Sequence, residues 1–132
     1  MNAQEQGVWD FIQTLNRAWT KDGAAERLQD YFHPRMVAIT PSDRLRVAGQ
    51  TACVAGWKQF ADSVKMIHWH ELDPKVDLFA DNKVAVVTYY FDMAFETGGS
   101  LVKMGGRDMF VLAQEQEKWW VVADQFSPYP VS

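Results

Sequence analysis

The sequence predicts an α+β domain in which helices near the N-terminus are covered by a strongly bent antiparallel sheet. Three observations carry that expectation. Apolar residues recur at helical spacing in the first half of the chain. From Lys65 onward, runs rich in β-branched and aromatic residues are long enough for four extended strands. The turn signals between those runs, "DN", "TGG" and "QEK", are short, as hairpins require. A curled sheet closed by helices forms a cone, and its wide end can leave a hollow.

The elements follow in order. In "QEQGVWDFIQTLNRAWTKDG", Val8, Phe11, Ile12, Leu15, Ala18 and Trp19 share one helical face, and Gly23 ends the helix. "AAERLQDYF" continues as a second short helix through Phe32, because Pro34 disfavours helical backbone at His33. "RMVAITP" and "SDRLRVAG" read as two short strands around a turn. Residues 50–64 return to helical spacing, with Ala52, Cys53, Gly56, Trp57, Phe60 and Val64 apolar, and form the third helix. "KMIHWHELDPKVDLFA" is a long strand in which Pro74 demands a bend or bulge. "KVAVVTYYFDMAFE" is the next strand, "TGGSLVKMGG" supplies turn glycines, and "RDMFVLAQE" and "WWVVADQFS" complete the meander.

A chain of 132 residues makes one domain, residues 1–132, with one core. An aromatic fraction of 14% exceeds what a small core needs, and so points to a ring-lined cavity, an association face, or both. The net charge of −4 provides no positive field, which excludes nucleic acid and anionic membrane as partners. Cys53 is the single cysteine; it reads as a small apolar residue of a protein in a reducing compartment. The start "MNAQEQGVWD" has no signal-peptide pattern and no apolar run approaches membrane-spanning length, so a cytoplasmic protein is expected.

The segments "FHPRMVAITP", "AGQTACVAGWKQFADSV", "NKVAVVTYYF", "GGRDMFVL" and "WWVVADQFS" resemble, in order and spacing, the nuclear transport factor 2-like superfamily with its cystatin-like fold. The resemblance covers nearly the whole chain and is nearest to the SnoaL-like and ketosteroid isomerase-like members. It implies three helices packed on a curved antiparallel sheet. It also implies that "RDMF" presents Asp108 to the cavity beside Phe110, as the aspartate-x-aromatic segment of ketosteroid isomerases does. In those enzymes an apolar site keeps the acid protonated so that it donates a hydrogen bond to a substrate oxygen. The residues by themselves leave a second reading open, in which Asp108 pairs with Arg107 or caps a turn in solvent.

The same comparison counts against steroid isomerisation. The isomerase base is a carboxylate directly before the proline that ends the first strand, and here Thr40 precedes Pro41. The tyrosine of helix one has no clear counterpart; Leu15 or Asn16 stands nearest, and Asn16 is the one able to bind a ligand. Many SnoaL-like relatives carry histidine where Gln125 stands, and an amide tip suits holding a ligand better than moving its protons.

Other bases remain. "HWH" puts His68 and His70 on one strand face, and His68 is the candidate base. Two histidines without a third ligand make no metal site, and none is expected. Tyr89 shares a face with Phe91, Met93 and Phe95, which is either the cavity lining or a dimerising face. Trp19 of helix one and Trp57 and Phe60 of helix three complete the expected pocket. The leading function is a small-molecule cavity protein, a cofactor-independent isomerase or lyase for a hydrophobic carbonyl compound, with Asp108 as the acid. The alternative is a non-catalytic ligand-binding or homodimerising domain. On either account, an aromatic sheet face predicts a homodimer.

Overall fold

The computed structural model describes residues 1–131. Helix α1 (Ala3–Thr20) opens on a capping box in which the Asn2 side chain accepts from the Glu5 N–H at 2.8 Å and the Glu5 carboxylate accepts from the Asn2 N–H at 2.7 Å. Its inner face buries Val8, Ile12 and Leu15 completely and carries Asn16 and Trp19 with them. The second helix is a single 3-10 segment, Ala25–Asp30, and does not run on to Phe32 as the sequence had suggested. Phe32 opens strand β1 (Phe32–Ile39) instead, with its ring fully buried. Pro34 therefore lies in a strand, at an exposed position.

Strand β2 (Val47–Ala48) pairs antiparallel with β1 and leads through Gly49 into helix α2 (Gln50–Ser63). Strands β3 (Lys65–Phe79), β4 (Val84–Thr97), β5 (Ser100–Glu115) and β6 (Lys118–Pro128) form the antiparallel meander. The sheet order is β2-β1-β6-β5-β4-β3. The sheet is not antiparallel throughout, because β1 lies parallel to β6. The chain between them runs through β2, α2 and the strands β3 to β5, which supplies the long connection that a parallel pair needs.

Two departures from regular pairing shape the inner face. Around Pro74 the β3–β4 register shifts between Leu72 and Lys75, the bend expected there. On β6, Leu112 faces Val121 while Val111 faces Ala123, so Val122 is an extra residue, a bulge. The hairpin before β5 turns on Gly98 and Gly99, both at positive φ. Gly105 and Gly106 are not turn residues, contrary to expectation, but lie inside β5. A Cβ on Gly106 would sit 2.2 Å from the Ser127 carbonyl oxygen and 2.9 Å from the Phe91 ring, so the close approach of β6 and the core demands glycine. Asp108 is consequently a mid-strand residue. No helix among the described residues is long and apolar enough to cross a membrane.

Candidate functional site

A cavity of about 250 Å³ lies between α1, α2 and the inner face of the sheet. Helix α1 contributes Asn16 and Trp19, α2 contributes Cys53, Trp57 and Phe60, and the strands contribute Trp69, Phe91, Met93, Phe110 and Phe126. The segment Thr40 to Asp43 forms part of its rim. An apolar cavity of about 150 Å³ accepts benzene, so this hollow suits a molecule somewhat larger than one ring. Among the described residues, no lysine, arginine or histidine lines it. A ligand anion would therefore find no counter-charge, and neutral molecules suit the site better.

One carboxyl enters this apolar enclosure. Alternation along β5 turns Asp108, Phe110 and Leu112 inward and Arg107 and Met109 outward. Arg107 bonds Ser127 on the outer face at 3.0 Å and does not pair with Asp108. The Asp108 Oδ2 atom accepts a 2.6 Å hydrogen bond from the Tyr89 hydroxyl, directly across the β4–β5 ladder.

The direction of that bond is dictated by a chain of donors. Trp19 Nε1–H can only donate, and it donates to Asn16 Oδ1 at 3.2 Å. This orients the amide so that Asn16 Nδ2 donates to the Tyr89 hydroxyl at 3.0 Å and to Glu71 at 2.7 Å. Tyr89 must then accept from Asn16, and its one proton goes to Asp108. Glu71 collects further donors from Trp69 Nε1 at 3.1 Å and Gln13 at 3.3 Å, which ties β3 to α1.

A second buried carboxyl stands beside the first. Asp124 on β6 lies opposite Phe110, while Asp108 lies opposite Phe126, so the two acids are diagonal neighbours on the inner face. Such positions are about 7–8 Å apart at the backbone, within side-chain reach. Asp108 Oδ1 and both oxygens of Asp124 are buried with no donor. The two groups nevertheless perturb one another's ionisation as hydrogen-bonded partners do. As two carboxylates the pair would offer each other only acceptors, whereas a proton on one of them supplies the missing donor.

Acidities follow from the surroundings. Burial pushes Asp108 above the usual carboxylate range, opposed by its hydrogen bonds with Asp124, Tyr89 and the Met109 backbone. Burial, and then the neighbouring Asp108 charge, push Asp124 well above that range. Burial, followed by Asp108, likewise raises Tyr89 well above its ordinary value, so it stays a neutral donor.

Of the residues expected at the site, Asp108, Asn16, Trp19, Thr40, Trp57, Phe60 and Phe110 border the cavity. Tyr89 is buried and meets it through Asn16 and Asp108. Thr40 is engaged at the rim, donating to Asp43 Oδ2 at 2.6 Å. His68 is not at the cavity: it is exposed and stacks on His70 with ring centroids 4.7 Å apart. Its neighbour Trp69 takes the inward position. Gln125 is also outside, exposed on the outer face opposite Met109. The Val122 bulge explains both this misplacement and the failure to single out Asp124. Strict alternation from Val121 puts Gln125 inside, and one extra residue exchanges it for Asp124. The only trace in the sequence is the unbroken apolar run "WWVVA" ahead of the acid. Among the described residues, no cluster of three or more His, Cys, Asp or Glu side chains could hold a metal ion.

A sequence profile of the SnoaL-like domain matches residues 10–132. The chain belongs to the SnoaL-like family. Among solved structures, this SnoaL-like domain is similar to a ketosteroid isomerase-like protein from Erwinia carotovora atroseptica, with 11% identity, a TM-score of 0.80 and coverage of 99% of this chain and 100% of that one. It is similar also to an NTF2-like protein from Cytophaga hutchinsonii, with 18% identity, a TM-score of 0.78 and coverage of 98% and 100%. The association domain of C. elegans CaMKII matches with 20% identity, a TM-score of 0.76 and coverage of 95% of each chain. At these identities the likeness concerns the fold alone. No curated protein sequence matches this SnoaL-like chain.

Proposed function

We propose that this SnoaL-like domain binds a small, neutral, largely apolar carbonyl compound in its cavity and that Asp108 exchanges a proton with it, without a cofactor. The observation that carries this reading is a buried carboxyl, held by a directed hydrogen bond from Tyr89, at the edge of a ring-lined hollow with no basic side chain among the described residues. In such surroundings a carboxyl is a stronger base than in water, closer to what carbon acids require near neutrality. The reaction class is isomerisation or elimination, which proton transfer next to a carbonyl can start. His68 has no part in it. The buried free thiol of Cys53 is compatible with the reducing cytoplasm proposed for the chain.

The test uses the tryptophans at the cavity, Trp19, Trp57 and Trp69, as reporters. One- and two-ring ketones should quench or shift their fluorescence on titration, and the protein should speed deuterium uptake at the carbon beside the ketone. Asp108→Asn should keep most of the affinity and lose about two to four orders of magnitude of the exchange rate. Binding without any exchange in wild type would reduce the domain to a ligand carrier, and no binding at all would remove the reading.

A second activity, homodimerisation, is supported by the outer sheet face. Leu72 and Tyr90 are cross-strand partners there, Met109 lies nearby, and Tyr129 stacks on Tyr90 at 6.3 Å, with each of the four more than 40% exposed. A patch of this kind calls for a cover. A similar fold serves in a protein named an association domain.

A further inference from the structure

We infer that Asp108 and Asp124 form a dyad that holds a single proton between Asp108 Oδ1 and Asp124, leaving Asp108 as the base toward the cavity and Asp124 as the residue that positions it. The proton count follows from the donors. Asp108 Oδ2 is committed as an acceptor, because Asn16 forces the Tyr89 proton onto it. Asp108 Oδ1 is buried without a donor, and so are both Asp124 oxygens. Two bare carboxylates would place like charges side by side in an apolar interior with three orphaned acceptor atoms. Two protons would leave one acid O–H with nothing to donate to. One proton, on Asp124 and donated to Asp108 Oδ1, satisfies both oxygens of Asp108 and leaves one Asp124 oxygen unmatched.

The groups facing the pair do not change this count. They are Tyr89 from β4, Glu71 from β3 and Cys53 from α2, and β1 presents only the apolar Ala38 opposite Asp124. None of them is a cation. Each acid has charge-stabilising help from the next residue's backbone, Met109 for Asp108 and Gln125 for Asp124, but Asp108 alone has the Tyr89 hydroxyl as well, so Asp124 keeps the proton.

Use of the dyad on a bound molecule rests on the function proposed above, and it reverses the role implied by the ketosteroid isomerase resemblance. There the acid donates to the substrate oxygen; here Asp108 is already ionised and accepts. Its carboxylate takes a proton from the carbon beside the ligand carbonyl, and the C–H electron pair moves into the enolate. The same carboxyl then returns the proton to another carbon of the conjugated system, or a group on the next carbon departs with its electron pair. No oxidant or reductant is needed. Asp124 keeps its own proton throughout, and its like charge, if it ionised, would make Asp108 harder to deprotonate.

Two measurements test this. Isotope-edited infrared spectroscopy of the ligand-free protein, with aspartate labelled, should show one protonated carboxyl near neutral pH. The signal should vanish in Asp124→Asn, whose amide can still donate to Asp108 Oδ1 and preserve the fold. Absence of the signal in wild type, or its persistence in that variant, overturns the shared proton. Deuterium exchange into 2-tetralone then tests positioning: Asp124→Asn should move the acid limb of the pH–rate profile to higher pH, since an amide is a weaker donor to Asp108 Oδ1 than the acid O–H it replaces. An unmoved limb overturns the positioning role. If Asp124→Asn does not fold, Tyr89→Phe serves, because losing the donor to Oδ2 should move that limb to higher pH while the infrared signal remains. A protonated carboxyl without ketone binding leaves the dyad standing and removes the cavity function instead.

Discussion

Tyr89 is the residue on which the site turns. Its hydroxyl accepts from Asn16 and donates to Asp108, so it couples α1 to β5 through the middle of the sheet. Tyr89→Phe leaves a buried acceptor and a buried donor each short of one partner, and should cost about 1–3 kcal/mol in chemical denaturation. The acids set a pH dependence of definite sign. Both have folded-state pKa values raised by burial, so their full contribution to stability is present below the usual aspartate value of 3.8 and is lost as pH rises through the raised values. Each unit of displacement corresponds to about 1.4 kcal/mol. The melting temperature of Asp124→Asn relative to wild type should therefore climb as the pH is raised from about 4 to about 8. A difference that stays flat with pH would show that Asp124 titrates normally. At this scale the sequence was only half legible. Asp108 stood out because Phe110 and Leu112 follow it at alternate positions, but nothing local marked Asp124 as its partner.

Elements deliver these residues, and their irregularities decide which ones arrive. The Val122 bulge exchanges Gln125 for Asp124 on the inner face, and the extra residue can be located only by counting β6 against β5. The glycines show the same limit. "GG" at residues 98 and 99 and at residues 105 and 106 look alike in the sequence, yet one pair turns the chain and the other admits a neighbouring strand. Gly106→Ala should destabilise the domain by about 1–3 kcal/mol through overpacking against the Ser127 carbonyl, visible as a lower denaturation midpoint. Gly7, on the exposed side of α1, has open space around it. Gly7→Ala should instead raise stability by about 0.5–1 kcal/mol, as helix propensity dictates.

At the scale of the whole molecule, the curved sheet has one face for the cavity and one for solvent or a partner. Assigning Tyr89, Phe91, Met93 and Phe95 to the inner face leaves Tyr90, Met109 and Leu72 as the outer apolar surface. Sedimentation of wild type should give a dimer mass, and Met109→Lys, which puts a charge into that surface, should shift it to monomer with the cavity intact. A wild-type monomer at high concentration would remove this association. The order of helices and strands and the meander were readable from sequence, because periodicity and turn chemistry are local properties, whereas the direction of Asp108 was left open between the cavity and solvent. What only the tertiary structure decided was which face of β4 points inward, where β6 takes its extra residue, and hence that a second acid meets the first. Those facts depend on how distant strands align, and neighbouring residues along one chain carry no record of that alignment.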